Sequence, residues 1–297
     1  MDHSKEKQLA AFLSICSNAL LITLKLIAGF LTGSLSIVSE ALHSLSDIAA
    51  SFIAYISVKK SAEPADAEHP FGHGKFEELS GFLEGLLICA IAIYIFYCAI
   101  SKLITPTKIE FEPFWGIIVM AFSIVINIFV SKYLFKVGAK TDSIAITADA
   151  EHLKIDVLSS GAVLVGLLAI KITGWTIIDP IFAIIVGGII LFTGLKLTIA
   201  ASNDLLDTAL PEKDLDILNE ILKEHHQKDI VDVKLLKTRK SGSEKIINLV
   251  IVVHKNMTIK EGHNICNAIE QEITEKLENS KAFIHLEPCE DDCPNCD

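Results

Sequence analysis

Apolar residues along this chain come in blocks of about 20, long enough for each block to cross a hydrocarbon core as a helix. Six such blocks can be marked, at about 9–32, 34–58, 79–101, 113–135, 143–170 and 176–200. They predict six transmembrane helices. The one long early connection, 59–78, reads KKSAEPADAEHPFGHGKFEE, and its Pro64, Pro70, Gly72 and Gly74 predict an irregular loop. A second, short loop at 102–112 carries Pro106, and Gly174-Trp175 turns the chain before the sixth block.

From about residue 204 the pattern changes. After Pro211, Leu215, Leu218, Ile221 and Leu222 recur at helical spacing over Glu212–His226. Ile230–Lys240 alternates apolar and polar positions, Ser241-Gly242 supplies a turn, and Ile246–His254 is a β-branched run. Thr258 and Glu261 fit a capping box at the head of a helix running to about Glu278. Ala282–Leu286 reads as a last short strand. The order α-β-β-α-β predicts a small ferredoxin-like α/β domain with an open sheet. The chain therefore divides into a six-helix transmembrane domain over 1–203, a cytoplasmic ferredoxin-like dimerisation and regulatory domain over 204–288, and a Cys-rich tail over 289–297.

Composition strengthens the membrane reading, with 51% apolar residues and a mean hydropathy of +0.47. Lysine placement sets the orientation, because Arg239 is the sole arginine. Six spans put Lys5, Lys7, Lys59, Lys60, Lys75, Lys132, Lys136 and Lys140 on the side of both termini, against Lys102, Lys108 and Lys171 opposite. That asymmetry places the termini in the cytoplasm of a bacterial or archaeal cell membrane. The first block is too long for a cleaved signal peptide. The net charge of −11 argues against nucleic acid and suits a domain that meets cations. Cys16, Cys89 and Cys98 fall in apolar blocks as packing residues. A cytoplasmic domain implies reduced thiols for Cys266, Cys289, Cys293 and Cys296.

The candidate chemistry begins with two copies of one pattern, His43-Ser44-Leu45-Ser46-Asp47 and His152-Leu153-Lys154-Ile155-Asp156. In each, an imidazole and a carboxylate lie four residues apart on one helix face. An ionisable residue near the bilayer midplane costs roughly 2.5–3.5 kcal/mol, so four of them imply a task. Two His and two Asp form a tetrahedral shell suited to zinc. Neutral imidazole binds metal and protonated imidazole does not, so a metal can exchange for a proton near neutral pH. The segments around them, SEALHSLSDIAAS and ADAEHLKIDVLSS, also share an acid three residues before the His, Glu40 and Asp149, as a faint internal repeat. Asn18, Lys25, Glu84, Asn127, Lys154 and Asp179 are further polar residues in or near spans, and Glu84 suits a water-filled path.

These residues resemble the cation diffusion facilitator family. GSLSIVSEALHSLSDIAAS, HPFGHGKFEELSG, LLDTALP and HLEP all read as family segments, so the resemblance covers nearly the whole chain. It implies six membrane helices, a cytoplasmic ferredoxin-like domain, a homodimer, and export of divalent metal in exchange for protons. It implies that His43, Asp47, His152 and Asp156 form the transport site, and that a His-Asp-His-Asp set goes with zinc, with cobalt or cadmium as secondary ions. Family members also carry an interfacial metal site with the spacing DxxHxxxH, which Asp66, His69 and His73 match. The resemblance implies a charged interlock between Lys75 and Asp207. It departs in the cytoplasmic domain, where His263, His285 and Glu287 remain but Lys234 and Val250 stand at two family histidine positions. Cys289, Cys293 and Cys296, as CxxxCxxC beside His285, offer an alternative zinc or copper(I) site on the cytoplasmic side.

The reading is a zinc/proton antiporter, a transporter and not an enzyme. The competing reading is a non-transporting, metal-sensing partner of a related transporter. An intramembrane metallohydrolase would carry HExxH, and a serine hydrolase or ATP-driven pump would carry GxSxG or GxxxxGK[ST]; none occurs.

Overall fold

The computed structural model describes residues 3–32, 48, 50–104, 114–173, 177–226 and 230–290. The chain forms two compact units, Met1–Ser202 and Asn203–Asp297.

The N-terminal unit is helical. Its elements are α1 (His3–Thr32), α2 (residues 50–61), α3 (Lys75–Ile104), α4 (Phe114–Thr141), α5 (Ile144–Thr173) and α6 (Ile178–Leu205). Four stretches among the described residues are long and apolar enough to cross a membrane: His3–Leu24, Lys75–Ser101, Ala121–Thr141 and Ala183–Leu205. α1 and α3 begin earlier than their apolar blocks, and α3, α4, α5 and α6 run later than theirs. α1 starts at His3 and α3 at Lys75, which shortens the 59–78 loop to residues 62–74. The reason is that polar residues extend the helices and are satisfied there. Lys7 of α1 and Glu77 of α3 form a buried ion pair.

The burial pattern of this unit is the reverse of a water-soluble one. Phe129, Phe192 and Tyr97 are about 70% exposed, whereas Ser14, Asn18, Ser51, Glu77, Glu84, Asp149 and His152 are buried. Apolar groups facing outward and ionisable groups facing inward is what a hydrocarbon solvent selects.

α5 is the central helix. Ala145, Ile146, Ala150 and Leu153 pack with Ala10 and Ala11 of α1, Val58 of α2, and Leu134 and Val137 of α4. Ala148 and Ile155 pack with Ile88 and Ala92 of α3 and Ile190 and Leu197 of α6. Between these two apolar stripes runs a third, with Asp149, His152 and Asp156 at helical spacing. The α3–α6 contact is a close approach of small residues. A Cβ at Gly85 would stand 2.8 Å from the Thr198 backbone nitrogen, and one at Gly194 would stand 2.9 Å from Cys89 Sγ. Lys154, on the other side of α5, pairs with Glu151 at 2.9 Å and lies over the Phe135 ring.

The C-terminal unit has the element order α7 (Glu212–His226), β1 (Asp232–Ser241), β2 (Glu244–Val253), α8 (Ile259–Lys276) and β3 (Ser280–Pro288). The sheet order is β1-β2-β3. β1 and β2 form an antiparallel hairpin, and Gly242 takes the left-handed turn position with φ of 62°. β2 and β3 run parallel, with Val250 opposite His285 and Val252 opposite Glu287. A parallel pair needs a crossover, and α8 is that crossover. The capping box is formed: Thr258 Oγ1 accepts from the Glu261 N–H, and the Glu261 carboxylate accepts from the Thr258 N–H. The core lies between helices and sheet, with Leu218 and Ile221 of α7, Ile247, Leu249 and Ile251 of β2, and Ile269 and Ile273 of α8. β1 and β2 fall within two residues of the expected bounds, and β3 covers Ser280–Pro288 where Ala282–Leu286 was expected.

Candidate metal centre

The loop between α2 and α3 is built around Asp66. Its Oδ1 accepts from the backbone N–H of His69 at 2.6 Å and of Glu68 at 3.0 Å, an Asx-type turn. These two bonds, that from His69 foremost, hold the Asp66 carboxyl below its usual range. The Gly72 N–H then donates to His69 O at 2.9 Å, and Gly72 sits at φ of 87°, which a side-chain-bearing residue would adopt only with strain. The reversal brings His73 back over His69, with ring centroids 4.4 Å apart.

The outcome is a convergent trio. The ligand atoms of Asp66, His69 and His73 all lie within 4.8 Å of one another. His69 Nδ1 is 3.5 Å from Asp66 Oδ1, and His73 Nε2 is 3.4 Å from Asp66 Oδ2. His73 is buried. Neither of its ring nitrogens, nor His69 Nδ1, has a hydrogen-bond partner. Buried imidazole nitrogens without partners cost free energy unless something else takes their lone pairs. Two imidazoles and one carboxylate are a donor set for zinc with one position left open. The residues present therefore fit a divalent metal.

Within the helices, His152 is fully buried on α5, and Asp156 follows one turn later, partly exposed. His43 and Asp47 lie outside the described residues.

The other expected ligands are dispersed. Among the described residues, the loop trio is the group of three or more His, Cys, Asp or Glu whose ligand atoms converge. His263 and His285 are exposed, on α8 and β3. Glu287 is held by Lys234, with Nζ to Oε2 at 2.7 Å. The ammonium lowers the Glu287 carboxyl, and the carboxylate raises the Lys234 amine. An ammonium thus stands beside Glu287 where the resemblance would put a histidine. Cys289 is buried, and its Sγ accepts from the Lys255 N–H at 3.3 Å. Cys293 and Cys296 lie outside the described residues. Asp207 Oδ1 lies 3.2 Å from Arg239 Nη1, within the C-terminal unit, and Lys75 belongs to the N-terminal unit.

One buried, ion-paired residue next to the loop went unread in the sequence. Glu77, four residues after His73, accepts from Lys7 of α1, from Ser61 Oγ of α2 at 2.8 Å, and from Ser143 Oγ, the residue before α5. One buried carboxylate therefore ties α1, α2 and α3 to the residue before α5, beside the metal loop. The available signal was a lysine near the start of an apolar block, which needs an acid partner.

Comparison with known proteins agrees with this architecture. The family model "Cation efflux transmembrane domain" matches residues 11–206. The model "Cation efflux protein, cytoplasmic domain" matches residues 210–289. The chain is 36% identical to the Uncharacterized transporter sll1263 of Synechocystis over 95% of this chain and 90% of that protein. It is 34% identical to the Cation-efflux pump FieF of Citrobacter koseri over 94% of this chain and 92% of that protein, and 32% identical to FieF of Salmonella newport over the same shares. The reversed burial of the helical unit and these matches together assign the chain to the cation efflux family, the cation diffusion facilitators, as an integral membrane transporter of divalent metal cations with a C-terminal cytoplasmic-type domain.

Proposed function

We propose that the chain exports zinc in exchange for protons through a tetrahedral site made by His43, Asp47, His152 and Asp156. The observation that carries the reading is His152: a fully buried imidazole, one turn from a carboxylate, in an apolar helix of a cation efflux domain. Nitrogen and carboxylate donors in a tetrahedral set favour zinc. A metal-bound imidazole releases the metal when it takes a proton, which couples the two fluxes.

The remaining parts of the reading follow from the sequence pattern. Six helices over 1–203 span the membrane with both termini in the cytoplasm of a prokaryotic cell. The domain over 204–288 pairs with that of a second copy, and the match to a cytoplasmic dimer domain supports a homodimer. Asp66, His69 and His73 hold a further zinc ion at the membrane surface, in a regulatory or relay role. The tail 289–297 and the surface residues His263, His285 and Glu287 offer weaker metal contacts.

Zinc uptake by proteoliposomes under an imposed pH gradient tests the reading. The expected result is uptake that rises with the gradient and collapses when the gradient is dissipated. Tight zinc binding with no flux would overturn it in favour of a metal-sensing partner subunit.

A further inference from the structure

Ser51 of α2 is fully buried and uses the whole hydrogen-bonding capacity of its hydroxyl. It donates to Asp149 Oδ1 of α5 at 2.8 Å. With that proton committed, its oxygen accepts from Asn18 Nδ2 and from Ser14 Oγ of α1, each at 2.9 Å. Ser14 and Asn18 stand one turn apart on one face of α1. Ser14 and Asp149 are also fully buried, and Asn18 is 4% exposed. One hydroxyl thus joins three helices in the interior of the unit. A buried hydrogen bond is costly to leave unmade, so such a network admits one arrangement of its helices and penalises the others.

The network stands at one end of the proposed transport face. Asp149 precedes His152 by three residues and Asp156 by seven, so the three share one face of α5. Asp149 lies about 4.5 Å from His152 along the helix axis. A second contact gives the direction of the helices. Ser61, at the end of α2, and Ser143, just before α5, both donate to the Glu77 carboxylate. Ser51, earlier in α2, meets Asp149, later in α5, so α2 and α5 run antiparallel. The four-ligand site requires that sense, because His43 and Asp47 precede Ser51 in sequence, and His152 and Asp156 follow Asp149.

We propose that Ser51, seated by Ser14 and Asn18 and bonded to Asp149, is a positioning residue of the transporter. It fixes the register of α2 against the His152–Asp156 face of α5 and so sets the ion preference of the transport site. The inference rests on the transport reading above. The four network residues act through the backbones of their helices and need not touch the ion. Selectivity among divalent ions at a nitrogen and oxygen site comes from geometry more than from raw affinity. Zinc takes short bonds in a tetrahedral shell. Cadmium, a larger ion with longer bonds, tolerates a wider shell. A pinned register therefore favours zinc, and a slack register loses that preference first. The Asp149 carboxylate serves here as the acceptor for Ser51, not as a charge.

The test uses the full-length protein in proteoliposomes under a pH gradient, with zinc and cadmium as the transported ions. Ser51→Ala removes the hydroxyl at the centre of the network. The expected result is a KM for zinc raised about tenfold, the lower end of what outer partners of metal ligands contribute, with the KM for cadmium much less affected. Asp149→Asn keeps an acceptor oxygen and drops the charge, and is expected to shift the zinc KM less than Ser51→Ala does. Ser14→Ala removes one donor only and carries the test if Ser51→Ala folds poorly, with a smaller shift of the same sign. An unchanged zinc KM in the serine variant would overturn the proposal. So would an equal rise for zinc and cadmium, which assigns Ser51 to packing alone, or a larger effect from Asp149→Asn than from Ser51→Ala, which assigns the role to the charge. Absence of zinc flux in the wild type would instead overturn the transport reading, a result separate from any comparison of variants.

Discussion

The two units of this chain solve the same packing problem in opposite solvents. In the C-terminal unit, Ile247, Ile251, Ile269 and Ile273 fill a dry core, and Lys, Glu and Asp cover the outside. In the N-terminal unit, Phe129 and Phe192 face outward, and the interior holds Glu77, Glu84, Asp149 and His152. The hydrophobic effect organises the first unit. In the second it only drives insertion, and helix association relies on small residues such as Gly85 and Gly194 and on buried polar contacts. A polar interior is unfavourable for stability and necessary for a cation path. The unit that carries the chemistry is therefore the one whose core is least like oil.

The comparison is broken most severely at Glu77. Replacing it with Ala leaves Lys7 buried without its partner, at an expected cost of about 3–5 kcal/mol. Thermal unfolding of the purified protein reads this directly, and Lys7→Met added to Glu77→Ala should recover part of the loss.

A matched pair of exposed apolar residues sharpens it. Phe192 is 70% exposed on α6, and Ile259 is 91% exposed at the first position of α8. Phe192→Asp should cost roughly 2.5–3.5 kcal/mol and lower the yield of inserted protein, because the side chain faces lipid. Ile259→Asp should fall within about 0.5 kcal/mol of wild type, because it faces water at a helix N-terminus. Equal effects would mean that the two surfaces share one solvent.

The smallest effect concerns the capping box. Thr258→Ala should destabilise the C-terminal unit by about 1 kcal/mol. The hydroxyl and N–H of Thr258 hold the Glu261 carboxyl below its ordinary value of 4.5. A lowered carboxyl contributes stability above its unfolded value and loses it as pH falls through the folded one. The Thr258→Ala penalty should therefore shrink in acid, as measured by denaturant unfolding at neutral and acidic pH.

Local features were legible in the sequence. The capping box, the α-β-β-α-β order, the i, i+4 relation of His152 and Asp156, and the DxxHxxxH spacing all depend on neighbours within a few residues. Each is set by helix pitch or turn chemistry. What escaped was long-range pairing: Lys7 with Glu77, Lys234 with Glu287, and Arg239 with Asp207. Their partners are far apart in sequence, and no periodicity encodes which face of α3 meets which face of α5. Helix ends were misjudged for a related reason. The apolar pattern marks where lipid begins, and the helix continues beyond it wherever polar residues find partners.

The central claim is that the His152–Asp156 face of α5 is the cation site of the transporter. The most direct test is gradient-driven zinc flux in proteoliposomes for wild type and Asp156→Ala, with both proteins verified as folded. The account predicts flux in the wild type and its loss in Asp156→Ala. Flux that survives the substitution would contradict the account and place the cation path elsewhere in the helical unit.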